Sequence, residues 1–209
     1  MLLQANDIVA RLKERPTDPS RRLMVTPQPD LDALARRGAA SIDLRLGTWF
    51  VTLRPARTEL LDITDQARQE DSDQKLTKTA YVPFGSKFIL HPRNFVLAVT
   101  LEWLRMPSDL GGYVVGRSSW GRRGLIIATA TGVHPRFAGC LTLELANVGE
   151  IPIGVHPGMS ICQVFFHRTS TPVAYPDQSF FVAHTRPVLG PLAMDEIGQQ
   201  LMAKAPSKP

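Results

Sequence analysis

"GVHPRFAGCLTLELAN", residues 132–147, is the stretch on which the fold turns. Its second half alternates. Leu141, Leu143 and Leu145 project to one side, and Cys140, Thr142, Glu144 and Ala146 to the other. A period of two predicts a strand with one face in the core. The leucines form that face. The opposite face carries small side chains and one carboxylate. Carboxylates are depleted in strands, so Glu144 has two readings. On an open face it is an ordinary sheet glutamate. Lining a pocket, it loses water, which disfavours the charged form and raises its pKa toward the range useful for proton transfer.

The same period recurs to either side, in "SIDLRLGTWFVTL" (41–53), "KFILHPRNFVLAVTLEWL" (87–104), "YVVGRSS" (113–119), "GLIIATATG" (124–132), "IPIGVHPG" (151–158) and "SICQVFFHR" (160–168). Turn signals separate these runs: Pro55, His91-Pro92, Pro107-Ser108-Asp109, Val148-Gly149-Glu150 and Pro157-Gly158. Many short strands at this spacing predict an all-β sandwich or barrel. Before Gly38 the period is helical. Residues 6–15 predict a helix capped by Asn6, with a stripe of Ile8, Val9 and Leu12 and Pro16 near its end. Residues 30–38 predict a second, with Asp30 as cap and Gly38 as stop. The polar stretch 65–80 reads as an exposed loop. From Thr169 the pattern weakens, with a helix expected near 194–203 and a Lys/Pro tail.

A chain of 209 residues is long enough for one domain with a full core, or two very small ones. No run approaches the roughly 20 apolar residues of a spanning helix, and "MLLQANDIVARLKERP" has no basic start followed by an apolar stretch. No membrane association is expected, and the cytoplasm is the expected location. Cys140 and Cys162, the only cysteines, lie in strand patterns and read as buried free thiols. The net charge of +5 suits an anionic partner such as nucleotide phosphate. There is no basic stripe interleaved with aromatics, so extended nucleic-acid binding is not expected. The five histidines are scattered and no Cys-x-x-Cys occurs, so a zinc site is not expected either.

"GRSSWGRRG", 116–124, is the densest polar group among the strands. Gly116 allows close backbone approach. Arg117 offers a planar charged fork, Ser118 and Ser119 add hydroxyls, and Arg122 and Arg123 follow. The local pattern fits a phosphate cradle or an ordinary surface turn.

The blocks "SIDLRLG" (41–47), "HPRNFVLAVTLEWLRMPSDLGGYVVGRSSWGRRGL" (91–125), "GCLTLELAN" (139–147) and "IPIGVHPGMSICQVFF" (151–166) stand in an order that resembles the dCTP deaminase family, within the dUTPase-like superfamily. The likeness runs from about residue 2 to about 168. It implies a distorted β jelly roll, a homotrimer with nucleotide sites between subunits, and hydrolysis of dCTP to dUTP and ammonia. Magnesium would arrive with the triphosphate, and no metal would activate the water. By resemblance, Glu144 falls on the catalytic glutamate that shuttles the proton. Ser118 and Arg122 fall on residues that place the water and the base. Arg117, Ser118 and Ser119 fall on the phosphate motif, and the main chain of Ala130 lies beside the ring. Phe137 falls on an aromatic near the sugar. Residues 1–168 would form the β domain with its N-terminal helices, and 169–209 an extension serving as lid or trimer contact.

Two features depart from the family pattern. The turn before the glutamate strand normally reads Asp-Pro-Gly-aromatic, but here it is His134-Pro135-Arg136-Phe137. The expected Asp supports the sugar and, in dUTPases, activates the water; histidine does not replace a carboxylate as acceptor. The usual closing tail carries Tyr, Lys and Gln, whereas here Tyr175 is followed by no lysine until Lys204. These departures fit either altered substrate recognition or a catalytically weakened nucleotide-binding, regulatory protein on the same scaffold. A turn residue that is merely tolerated is the plainer account of His134.

Overall fold

Strand β2, Ser41–Leu53, organises the molecule. Its first part pairs with β11 (Ser160–Arg168), and its second with β5 (Phe95–Arg105). A register shift lies between Leu46 and Phe50. Gly47 sits in that shift, where a Cβ would come within 2.9 Å of both Val99 Cγ1 and the Val99 carbonyl oxygen. No larger residue allows the backbones to pass this closely. One strand thus serves two halves of a curled antiparallel sheet, as a distorted jelly roll requires.

The remaining strands are β1 (Met24–Thr26), β3 (Thr77–Tyr81), β4 (Phe88–Leu90), β6 (Leu110–Gly116), β7 (Leu125–Ile127), β8 (Gly132–Val133), β9 (Ala138–Asn147) and β10 (Ile153–Val155). The order across the main sheet is β7-β9-β5-β2-β11-β6-β8, with β1 against β5 and β3 against β2, while β10 and β4 pair separately. This computed structural model describes residues 1–54, 76–127, 132–174, 182–190 and 196–203.

The core lies inside the curl. Leu44, Leu46, Phe50, Val96, Ala98, Leu104, Leu143, Leu145, Val164 and Phe166 are fully buried, and each large side chain contributes about 1.5–3 kcal/mol by leaving water. Phe50 stacks on Phe88 at 4.7 Å. Leu141, Leu143 and Leu145 face this core as their alternation requires, and Cys140, Thr142, Glu144 and Ala146 are half-buried on the other side.

Both N-terminal helices form. In α1 (Ala5–Lys13), Ile8 and Leu12 are buried and Val9 partly so. The expected cap, Asn6, lies inside the helix; Gln4 is the cap, and its N–H donates to the Asp7 carboxylate at 3.3 Å. An acidic residue three positions on satisfies an orphan N–H better than Asn6 could from within the first turn. In α2 (Leu31–Arg37), Asp30 accepts from the N–H groups of Asp32 and Ala33, and Gly38 ends the helix at φ 63°. Arg11 of α1 grips Asp109 through two bonds of 2.7 and 2.8 Å, fastening the helix to the turn before β6.

The loop expected over 65–80 is corrected at its end. Thr77–Tyr81 is β3, whose polar side chains stand on a strand pairing with β2; residues 65–75 lie outside the described residues. The run 113–119 is likewise not all strand, because β6 stops at Gly116 and Ser118–Gly121 forms a helical turn, α3. The last helix, α4, spans Glu196–Ala203. No described helix is long and apolar enough to cross a membrane.

Candidate functional site

Glu144 stands on β9 opposite Leu97 of β5. Cross-strand partners share a face, so Leu97 and Val99 line the same outer surface as Glu144 and Thr142. Leu97 is 5% exposed and Val99 2%. The carboxylate therefore stands beside buried apolar side chains, and this burial raises its pKa above the ordinary glutamate value. Among the described residues it makes no hydrogen bond and no ion pair. A desolvated carboxylate with no competing partner is free to take and return a proton.

The arginine-serine cluster sits where β6 runs into α3. The Arg117 carbonyl accepts from the N–H groups of Trp120 and Gly121, which closes the turn. The Trp120 indole donates to the Ser160 carbonyl at 2.8 Å and pins the turn to β11. Arg117 is not open. Its guanidinium pairs with Asp43 at 2.8 Å, and the other oxygen of Asp43 holds Arg37 at 2.7 Å. Ser118, Ser119 and Arg122 are exposed, and their side chains have no partner among the described residues. Arg123 donates to the Ser119 carbonyl at 2.8 Å. Within one chain, no hydrogen bond or ion pair joins Glu144 to Arg117, Ser118 or Arg122.

His134 is exposed at the first position of a tight turn, and Phe137 closes it by donating its N–H to the His134 carbonyl at 3.2 Å. Phe137 is 7% exposed and packs into the core. Ala130 and Tyr175 lie outside the described residues.

Residue patterning missed a second carboxylate. Glu102 is 1% exposed, and its two oxygens accept from the backbone N–H of Arg45 at 2.7 Å and from the Arg45 guanidinium at 2.9 Å. Asp43 was missed as well. The signal was there, because Asp43 and Arg45 alternate with core residues in "SIDLRLG" and so share one face. Both thiols are free; burial first, and then the Glu102 charge, push Cys140 up to about 11. Among the described residues, no group of three or more His, Cys, Asp or Glu is placed to hold a metal ion.

The curled sheet places the protein in a known structural class. It matches the crystal structure of 2'-deoxycytidine 5'-triphosphate deaminase from Agrobacterium tumefaciens with a TM-score of 0.55 at 21% identity, over 79% of this chain and 46% of that one. The expected all-β jelly-roll fold is therefore the one this chain shares with that structure.

The family follows from sequence. The profile described as dCTP deaminase-like matches residues 3–169. A dCTP deaminase of Thermomicrobium roseum is 38% identical over 177 residues, and a "dCTP deaminase, dUMP-forming" of Dictyoglomus thermophilum 37% over 177; each alignment covers 84% of both chains. The chain belongs to the dCTP deaminase-like family.

Proposed function

We propose that the protein hydrolyses the exocyclic C–N bond of the cytosine ring in dCTP, giving dUTP and ammonia. The observation that carries this reading is Glu144, half-buried beside Leu97 and Val99 and without a partner among the described residues, on a strand of a family member. Water is a poor nucleophile at neutral pH and needs a positioned base. Glu144 takes the proton as the water oxygen bonds to the ring carbon, then gives a proton to the amino group as it leaves. A raised pKa brings the carboxylate closer to both partners in these transfers.

Ser118 and Arg122, open to ligand, place the water and the ring. Arg117, Ser118 and Ser119 bind the triphosphate, which brings its own magnesium as part of the substrate. The Arg117–Asp43 ion pair fixes the guanidinium before substrate arrives, and preorganisation lowers the cost of binding. By resemblance Ala130 is assigned to the ring and His134 to the sugar, with Phe137, packed into the core, behind that turn. By family resemblance the protein assembles as a homotrimer with its nucleotide sites between subunits. Residues 1–168 form the deaminase domain and 169–209 its extension, and the cytoplasmic nucleotide pool supplies the substrate.

A second reading concerns the product. Relatives are named dUMP-forming, which would need a second hydrolysis at the phosphates, but His134 stands where a carboxylate would activate that second water. Incubation with magnesium and each common nucleotide, with ammonia and diphosphate followed separately, decides the matter. Ammonia from dCTP without diphosphate is the expected result. Stoichiometric diphosphate would make the chain dUMP-forming. Tight binding that raises the melting temperature without turnover would make it a nucleotide-binding regulator.

A further inference from the structure

The tripeptide His-Pro-Arg occurs twice, at 91–93 and 134–136, and folds the same way both times. The residue after each arginine donates its N–H to the histidine carbonyl, Asn94 to His91 at 3.1 Å and Phe137 to His134 at 3.2 Å. Both arginines take left-handed backbone, with φ 64° at Arg93 and 67° at Arg136. This is a type II turn, whose third position favours glycine because a Cβ crowds the backbone there. Two arginines therefore occupy strained positions.

Their side chains differ. The Arg93 guanidinium is exposed and has no partner among the described residues. At Arg136, Nη1 donates to the carbonyls of Ala174 at 3.1 Å and Val173 at 3.3 Å. Val173 is itself held by its N–H on the Ser108 carbonyl at 2.8 Å. Further along, the C-terminal segment returns to the start of β9, just past the same turn. The Ala183 N–H donates to Ala138, and the Cys140 N–H to the His184 carbonyl at 2.9 Å. Gly139 lies between them at φ 153°, where a Cβ would come within 3.3 Å of both Ala183 N and His184 O. Arg186 then lies 4.1 Å over the Trp49 ring on β2. The segment thus holds the chain on both sides of residue 137, at Arg136 and at Ala138–Cys140.

We propose that Arg136 is a positioning residue, clamping residues 173–174 onto the turn His134–Phe137 and thereby fixing that turn at the edge of the nucleotide site ahead of Glu144. A family turn that usually has glycine here has no such tether. The kinetic consequence rests on the proposed dCTP reading; the clamp itself does not.

The full-length variants Arg136→Gly, Arg136→Lys and Arg93→Gly test it. Glycine suits both positions, so the fold is kept, and Arg93→Gly is the internal control with the same relief and no lost contact. In Arg136→Gly, amide exchange at Val173, Ala183 and Cys140 should speed up on the order of tenfold, with no change in Arg93→Gly. KM for dCTP should rise on the order of fivefold in Arg136→Gly with kcat within about twofold, and Arg136→Lys should fall between it and the parent. Equal exchange in the two glycine variants would overturn the clamp. Faster exchange with an unchanged KM would overturn the positioning role. If the parent neither binds nor turns over dCTP, the functional reading fails, while the exchange comparison still decides the clamp.

Discussion

Two strand glutamates show how much the surroundings decide. Glu102 has both oxygens engaged by Arg45, whereas Glu144 has neither engaged among the described residues. The first is built into the fold, and the second is the base proposed for the reaction. Their substitutions should separate accordingly in urea denaturation. Arg45→Ala removes the guanidinium but keeps the residue-45 N–H on Glu102, and should cost about 1–3 kcal/mol. Glu102→Gln keeps an acceptor for the Arg45 N–H and should cost about 1–3 kcal/mol. For Glu144 the pH dependence has a definite sign. As the proposed base, Glu144 would work deprotonated, and burial holds its pKa above the usual glutamate value. The acid limb of kcat/KM should therefore fall at a pH above ordinary glutamate titration, and in Glu144→Asp it should move with the new environment of the carboxylate. A limb at or below the ordinary value would mean that another group controls the rate. Alternation alone made the outward face of Glu144 legible. It could not show the Arg117–Asp43 pair, since those residues are 74 positions apart and meet only through the register of β2, β11 and β6.

At the scale of elements, the strand runs and the second helix follow closely from local pattern, because alternation, an Asp cap and a glycine stop all act over a few residues. Misreadings fall where tertiary contacts outvote local chemistry. The polar residues 77–81 become β3 because β2 offers them a free edge. The arginine-serine run leaves β6 and turns helical because the Trp120 indole finds the Ser160 carbonyl. The docking of α1 is also invisible locally, resting on Arg11 and Asp109. The Arg11 bond lowers the Asp109 pKa below the usual aspartate value. A depressed carboxylate pKa adds stability above the unfolded-state pKa, and that stability is lost as pH falls through the folded value. Arg11→Ala should therefore be less stable than the parent at neutral pH in thermal melts, with the gap narrowing as the pH drops below about 4. A gap that is constant across this range would assign the loss to packing of the Arg11 stem instead.

For the whole molecule, the all-β class was legible from the count and spacing of alternating runs, but the topology was not. The order β7-β9-β5-β2-β11-β6-β8 depends on β2 changing partners at Gly47, and no local pattern encodes which distant strands meet there. The site has the same dependence on long-range order. Its carboxylate stands on β9, and the arginine-serine turn leads from β6 into β7, which pairs with β9, so both are placed by strands distant in sequence. The central claim is that Glu144 carries the proton in dCTP hydrolysis. Ammonia release from dCTP by the parent and by Glu144→Gln, at equal concentration and with folding checked by circular dichroism, tests it most directly. The account predicts steady release by the parent and a loss on the order of a thousandfold or more in the variant. Release from Glu144→Gln within tenfold of the parent would contradict it.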